Sequence, residues 1–110
     1  MPNRDIIVIG GSSGATAPVK ALLAAELALE LASEKRLLKK ADADIEAGRD
    51  RLHSQEQRLN SLRNAGHNTT EAERLVGLMT DTLAQWERHR VLISERVDYL
   101  ERKTSGFDQG

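Results

Sequence analysis

Apolar side chains recur at a step of seven residues along the first half of the chain. One set consists of Leu31, Leu38, Ile45, Leu52 and Leu59. Companion positions alternate with it at spacings of three and four, at Leu27, Glu34, Ala41, Gly48, Gln55 and Leu62. Such spacing is typical of a helix that packs along a heptad seam. Because no proline occurs between Pro18 and Asn64, the pattern predicts a helix over about 17–64.

The next stretch of sequence interrupts this helical pattern. Gly66 can adopt the left-handed conformation that ends many helices. Thr70, with Glu73 three residues later, matches a capping box and predicts the start of a second helix with the same three-four spacing. The predicted boundaries are 65–69 for the turn, 70–103 for the second helix and 104–110 for a flexible polar tail.

The two apolar seams match each other when the second helix folds back antiparallel to the first. In that register Gly48, the one glycine of the first helix, falls opposite Trp86, the one tryptophan of the chain. A small residue opposite a large one favours close packing. The predicted fold class is therefore all-α, a long antiparallel two-helix hairpin like a coiled coil, with a short extended N-terminal segment. Its predicted core consists of Leu38, Ala41, Ile45, Gly48, Leu52, Leu59, Leu62, Met79, Leu83, Trp86, Ile93 and Val97.

Apolar residues outside this core predict an interface. The second helix is the shorter one, so leucines near the start of the first helix have no partner within the hairpin. Exposed apolar stripes usually mark an interaction surface, and two hairpins that pair into a four-helix bundle would cover them. The predicted partner is a second copy, giving a homodimer, or another helical protein. The predicted interface consists of Leu22, Leu23, Leu27, Leu29, Leu75, Leu78, Leu92 and Tyr99.

Composition narrows the class of protein. The chain has 110 residues, which suits one small domain, and only 3% of them are aromatic. Sixteen basic residues nearly balance seventeen acidic ones, which argues against nucleic acid or an anionic membrane as a partner. The chain has no cysteine and no apolar run near the ~18 residues of a membrane span. We therefore expect a cytoplasmic protein without disulfides.

The N-terminal segment carries a separate signal. Its β-branched run, residues 6–9, leads into a glycine and serine turn, as a buried strand does before a phosphate-type or nucleophile-type turn. Residues 4–25 resemble the opening of the catalytic domain of the chemotaxis protein-glutamate methylesterases, where a strand and an Ile-Gly-Ala-Ser-x-Gly-Gly turn lead into a helix. The resemblance implies that Ser12 stands at the family's nucleophilic serine, while Gly11 and Ala15 depart from its pattern.

A serine esterase needs more than a nucleophile. The serine requires a base within hydrogen-bond reach and a carboxylate that orients the base. In the resembled family these groups come from later strands of a parallel sheet, and the sequence offers no second strand. The chain as it stands is therefore predicted not to be an enzyme, with residues 1–16 a poorly packed strand and turn remnant. The alternative is a fragment or remnant of a methylesterase with Ser12 at the nucleophile position.

A second resemblance concerns the body of the chain. Residues 38–93 are similar to a family of small uncharacterised bacterial helical-hairpin proteins. The most specific element is the Gly-His-Asn-Thr-Thr-Glu-Ala-Glu turn that begins at Gly66. The resemblance implies a hairpin fold and lends no activity.

Histidines and basic residues suggest two further chemistries. His53 and His89 would lie ~12 Å apart along the hairpin, too far to share a metal ion, and His67 lies in the turn. No metal or cofactor is therefore expected. The basic cluster at 35–40 could contact phosphates, but its acidic neighbours favour a solvated face. The leading functional prediction is a non-enzymatic helical interaction or self-association module with no evident small-molecule substrate.

Overall fold

The computed structural model describes the backbone of residues 16–109 and the side chains of residues 18–106. Helix α1 spans Thr16–Asn64 and helix α2 spans Thr70–Gln109. The two helices pack against each other as an antiparallel hairpin, which confirms the predicted all-α fold class. The predicted strand and turn remnant lies outside the described residues, apart from Thr16, which begins α1.

A Schellman turn ends α1. Gly66 has a left-handed φ of 75°. The amide of His67 donates to the carbonyl of Leu62 at 2.9 Å, and the amide of Gly66 donates to the carbonyl of Arg63 at 3.0 Å. These bonds satisfy carbonyl groups that the last turn of a helix leaves without partners. The end of α1 at Asn64 therefore has the cause that the sequence predicted.

The start of α2 is capped one residue earlier than predicted. The carbonyl of Thr69 accepts the first helical bond, from the amide of Glu73 at 2.8 Å, and the Thr69 hydroxyl donates to the Glu73 carboxylate. The side chain of Asn68 accepts a bond from the amide of Thr70 at 2.9 Å. Helix α2 begins at Thr70, but the capping position belongs to Thr69, because its carbonyl enters the first turn while Asn68 satisfies the next amide.

Substitution of Gly66 tests the turn. We expect Gly66→Ala to lower the free energy of unfolding by about 1 kcal/mol, because a Cβ atom is disfavoured at a left-handed φ. Thermal unfolding followed by far-UV circular dichroism measures the change. Gly106→Ala is the matched control, since Gly106 lies within α2 with open space around it and alanine favours the helix there. Equal destabilisation by both variants would contradict the assignment.

Helix α2 continues past its predicted end. The sequence predicted an end near Lys103 and a flexible tail at 104–110, whereas the helix runs to Gln109. Thr104 fits within the helix because its hydroxyl donates to the carbonyl of Leu100 at 2.8 Å. Gly106 costs helix propensity without forcing a break. Leu27 is only partly exposed, whereas Leu22, Leu23 and Leu29 are exposed.

The core is a line of aliphatic side chains between the helices. Of the predicted core, Ile45, Gly48, Leu59, Leu83, Ile93 and Val97 are buried. Leu38, Ala41, Leu52, Leu62 and Met79 are half-buried, as expected for a seam that two helices cover only in part. Leu100 is the most deeply buried described side chain, at 1% exposure. Trp86 is 37% exposed, so its ring lies at the edge of the core.

Candidate interaction surface

Gly48 forms a socket on α1 that α2 fills. A Cβ atom at Gly48 would lie 2.7 Å from Cδ2 of Leu83 and 3.2 Å from Cζ3 of Trp86. Trp86 therefore lies against Gly48, as the register predicted, but Leu83 reaches further into the socket. Because Leu83 occupies the centre, the indole ring is displaced toward the rim and remains partly exposed.

A shallow groove opens beside this socket. It has a volume of about 150 Å³ and is lined by Gly48, Arg51, Leu78, Met79, Leu83 and Trp86. Its lining is apolar except for Arg51 and the neighbouring Thr82. The apolar side chains that line the groove all come from α2, while α1 contributes Gly48 and Arg51.

The opposite side of the seam carries salt bridges between the helices. At regular heptad positions, Lys35 lies 3.3 Å from Glu101, Arg49 lies 2.5 Å from Glu87, and Arg63 lies 3.8 Å from Glu73. We call this side the ion-pair face. Each pair is about half exposed, so it stabilises the fold little by itself. Opposite charges at matched positions instead favour the antiparallel orientation.

Arg90 belongs to the same network. Its Nε donates to Oδ1 of Asp42 at 2.6 Å. The hydrogen bond and the charge of Asp42 raise the pKa of the Arg90 guanidinium above its usual value. The Arg90 side chain is partly exposed, so its guanidinium reaches solvent at the edge of the seam.

Exposed apolar residues gather on the side of the seam away from these salt bridges. On α2, Leu92 follows the ion-paired Glu87 by five residues, which turns it about 140° around the helix. On α1, Leu37 follows the ion-paired Lys35 by two residues, which turns it about 160° around that helix in the opposite direction. Their exposures, and those of their neighbours at equivalent heptad positions, lie between 42% and 63%. We call this set the leucine face: Leu23, Leu37, Leu75, Leu78, Leu92 and Tyr99.

The predicted interface residues fall into three places. Five of them, Leu23, Leu75, Leu78, Leu92 and Tyr99, belong to the leucine face. Leu22 and Leu29 are also exposed, but lie on the outer edge of α1, away from α2. Leu27 is on the seam and partly covered. The leucine face also includes Leu37, which the sequence prediction left out.

The described residues contain few groups that could do chemistry together. No cluster of three or more histidine, cysteine, aspartate or glutamate side chains in this part of the chain could hold a metal ion. His53, His67 and His89 are all exposed. Neither described helix has an apolar stretch long enough to cross a bilayer. Ser12 lies outside the described residues.

Comparison with known proteins adds no family to this description. No protein-family model, no curated protein and no solved structure matches the chain. The resemblances to the methylesterases and to the bacterial hairpin proteins therefore stay predictions. The esterase alternative also stays a prediction, because Ser12 lies outside the described residues.

Proposed function

We propose that the protein is a non-enzymatic helical interaction module that self-associates through its leucine face. The observation that carries the proposal is the difference between the two sides of the seam. One side carries four of the five salt bridges that join the helices among the described residues, while the other leaves a row of large apolar side chains about half exposed. A row of this kind is typical of a surface that another helix covers.

Magnitudes indicate how strong such association would be. Full burial of a leucine side chain stabilises by about 1.5–3 kcal/mol, so a half-exposed one gains about half of that. The leucine faces of two copies together would gain on the order of 10 kcal/mol. Association costs roughly 4–15 kcal/mol in lost translational and rotational freedom. The two quantities are comparable, so we expect self-association that depends on protein concentration.

Light scattering of wild-type protein and face-specific variants tests the proposal. We expect the wild type to associate above a threshold concentration, and Leu78→Glu with Leu92→Glu to be monomeric at that concentration. Charge placed in an apolar contact must be desolvated without a partner. Both residues are exposed in the single hairpin, so far-UV circular dichroism should show an unchanged helix content.

Val91→Glu is the matched control. Val91 is 50% exposed, is adjacent to Leu92 and lies on the ion-pair face beside Arg49 and Glu87. Association should survive this substitution, because it adds the same charge to the other side of the hairpin. A wild type that is monomeric at every concentration, or equal loss of association in Val91→Glu, would overturn the proposal.

A further inference from the structure

We propose that the leucine face binds a second copy of the chain in antiparallel orientation, with α1 on the partner copy's α1 and α2 on its α2. The inference rests on the proposed function, since it names the occupant and arrangement of the same face. Its independent support is the distribution of charge along that face, because under this two-fold rotation the acidic half of each α1 meets the basic half of the other. The same charge order also suits α1 stacked on the partner copy's α2, and the mixing experiment below separates the two arrangements.

Charge on the α1 edge of the leucine face changes sign along the helix. Glu26 and Glu30 lie in the half near the open end of the hairpin, and no basic residue occurs between 21 and 34. Arg51 and Arg58 occupy the corresponding positions in the half near the turn. Between the two halves, Lys40 and Asp44 neutralise each other at 2.7 Å.

The α2 edge carries the opposite order of charge. Glu71 lies near the turn, while Arg96 and Lys103 lie near the open end. Arg96 pairs with Glu30 across the face at 2.7 Å, and Nζ of Lys103 lies 5.8 Å from the centre of the Tyr99 ring. Each helix edge thus presents one acidic half and one basic half.

Most of these charges are available to a partner. Glu26, Arg51 and Arg58 make no salt bridge with another side chain in the described part of the chain. All three are exposed, and Arg51 forms one wall of the apolar groove beside Gly48. The α1 edge of the groove therefore carries a positive charge that has no salt-bridge partner among the described residues.

One two-fold axis brings opposite charges together along α1 and along α2. The pairing of Asp42 with Arg90 and the contact of Gly48 with Trp86 place Asp44 and His89 at about the same height in the hairpin. An axis that crosses the hairpin at that height brings the acidic half of each α1 over the basic half of the other.

The same axis also aligns particular side chains. On α1 it places Glu30 of one copy opposite Arg58 of the second copy. On α2 it places Leu78 of one copy opposite Tyr99 of the second. The pairing is reciprocal, so association closes at two copies and does not continue into a filament.

Mixing two charge-reversed variants tests this arrangement. The acidic variant carries Arg51→Glu and Arg58→Glu, and the basic variant carries Glu26→Lys and Glu30→Lys. Alone, each would place like charges against each other along α1, so we expect self-association at least about tenfold weaker than wild type by sedimentation velocity at low salt. An equal mixture should regain a dimer of near wild-type affinity, because the acidic α1 edge of one variant then meets the basic α1 edge of the other.

A matched control separates the effect of where the charges lie from the effect of the net charge. Arg36→Glu with Lys39→Glu changes the net charge as much as the acidic variant does, but both residues are exposed outside the leucine face. This variant should dimerise as wild type does. Circular dichroism checks the fold of every variant, and Arg58→Glu alone serves if a double substitution unfolds the hairpin, since Arg58 makes no salt bridge with a described residue.

The outcomes distinguish this inference from the proposed function. A monomeric wild type would overturn self-association itself. A wild-type dimer that Leu78→Glu with Leu92→Glu disrupts, combined with a mixture that fails to regain a dimer, would overturn only the antiparallel arrangement. That result would favour α1 of one copy on α2 of the other, because in that geometry like charges remain opposed in the mixture.

Discussion

Leu100→Ala is expected to lower the free energy of unfolding by about 3 kcal/mol or more. Leu100 is the most deeply buried described side chain, with 1% of its surface exposed. Truncation removes its apolar contacts and leaves a cavity that a long, thin hairpin has few neighbouring side chains to refill. Thermal unfolding followed by far-UV circular dichroism measures the loss, at one fixed concentration because the midpoint of a self-associating protein depends on it.

Leu29→Ala is the matched control for this substitution. Leu29 is 72% exposed on the outer edge of α1, so the same truncation should cost about 0.5 kcal/mol or less. A comparable loss in both variants would contradict the position of the core between the helices. A loss at Leu29 that depends on protein concentration would instead point to an interface on the outer edge of α1.

Long-range periodicity and one glycine made the fold predictable from sequence. The heptad pattern extends over many turns, so a helix is the only element it fits. Gly66 marks the break because its left-handed φ is a conformation that other residues adopt at a cost. The α2 end was missed because Thr104 and Gly106 suggest a loop locally, whereas the helix continues through both, with the Thr104 hydroxyl bonded to the carbonyl of Leu100. Leu100 was left out of the predicted core although it lies within the predicted second helix.

The candidate surface was harder to predict than the fold. The sequence shows that apolar residues exceed what one seam can bury, but not which side of the hairpin each surplus residue faces. Leu37 shows the difficulty, because it stands next to the seam residue Leu38 and within a basic run. Lys35 and Glu101 could have predicted the ion-pair face from sequence, since they occupy matched heptad positions and carry opposite charges. Such pairs identify the ion-pair face and, by exclusion, the leucine face.

The two faces have complementary roles in the proposed assembly. Salt bridges on the ion-pair face join α1 to α2 of the same chain, so they favour one orientation within the hairpin. Charges on the leucine face are mostly left without such partners in the described chain, and their order along each helix reverses under a two-fold rotation. The hairpin therefore combines a face that fixes its own fold with a face suited to a second copy.

Gly48→Leu is expected to destabilise the hairpin by about 2 kcal/mol. Leucine is the better helix former by roughly 1 kcal/mol, which opposes this result. However, even a Cβ atom at Gly48 would lie 2.7 Å from the Leu83 methyl group and 3.2 Å from the Trp86 ring. A whole leucine side chain must displace both of these groups. Overpacking of a fitted core typically costs about 1–3 kcal/mol and occasionally more. The packing cost therefore exceeds the gain in helix propensity.

Gly77→Leu is the matched control for Gly48→Leu, and it should change the stability of the hairpin in the opposite direction. Gly77 lies within α2 with no atom near its missing Cβ, so leucine there should raise stability by up to about 1 kcal/mol through helix propensity alone. Thermal unfolding compares the two variants, and the fluorescence of Trp86, the one tryptophan, reports displacement of the ring from the socket. If Gly48→Leu melts higher than the parent with unchanged fluorescence, Gly48 is not a socket and the α1 to α2 register is wrong. Lower stability with a shifted emission would instead confirm that the pairing of Gly48 with Leu83 and Trp86 sets that register.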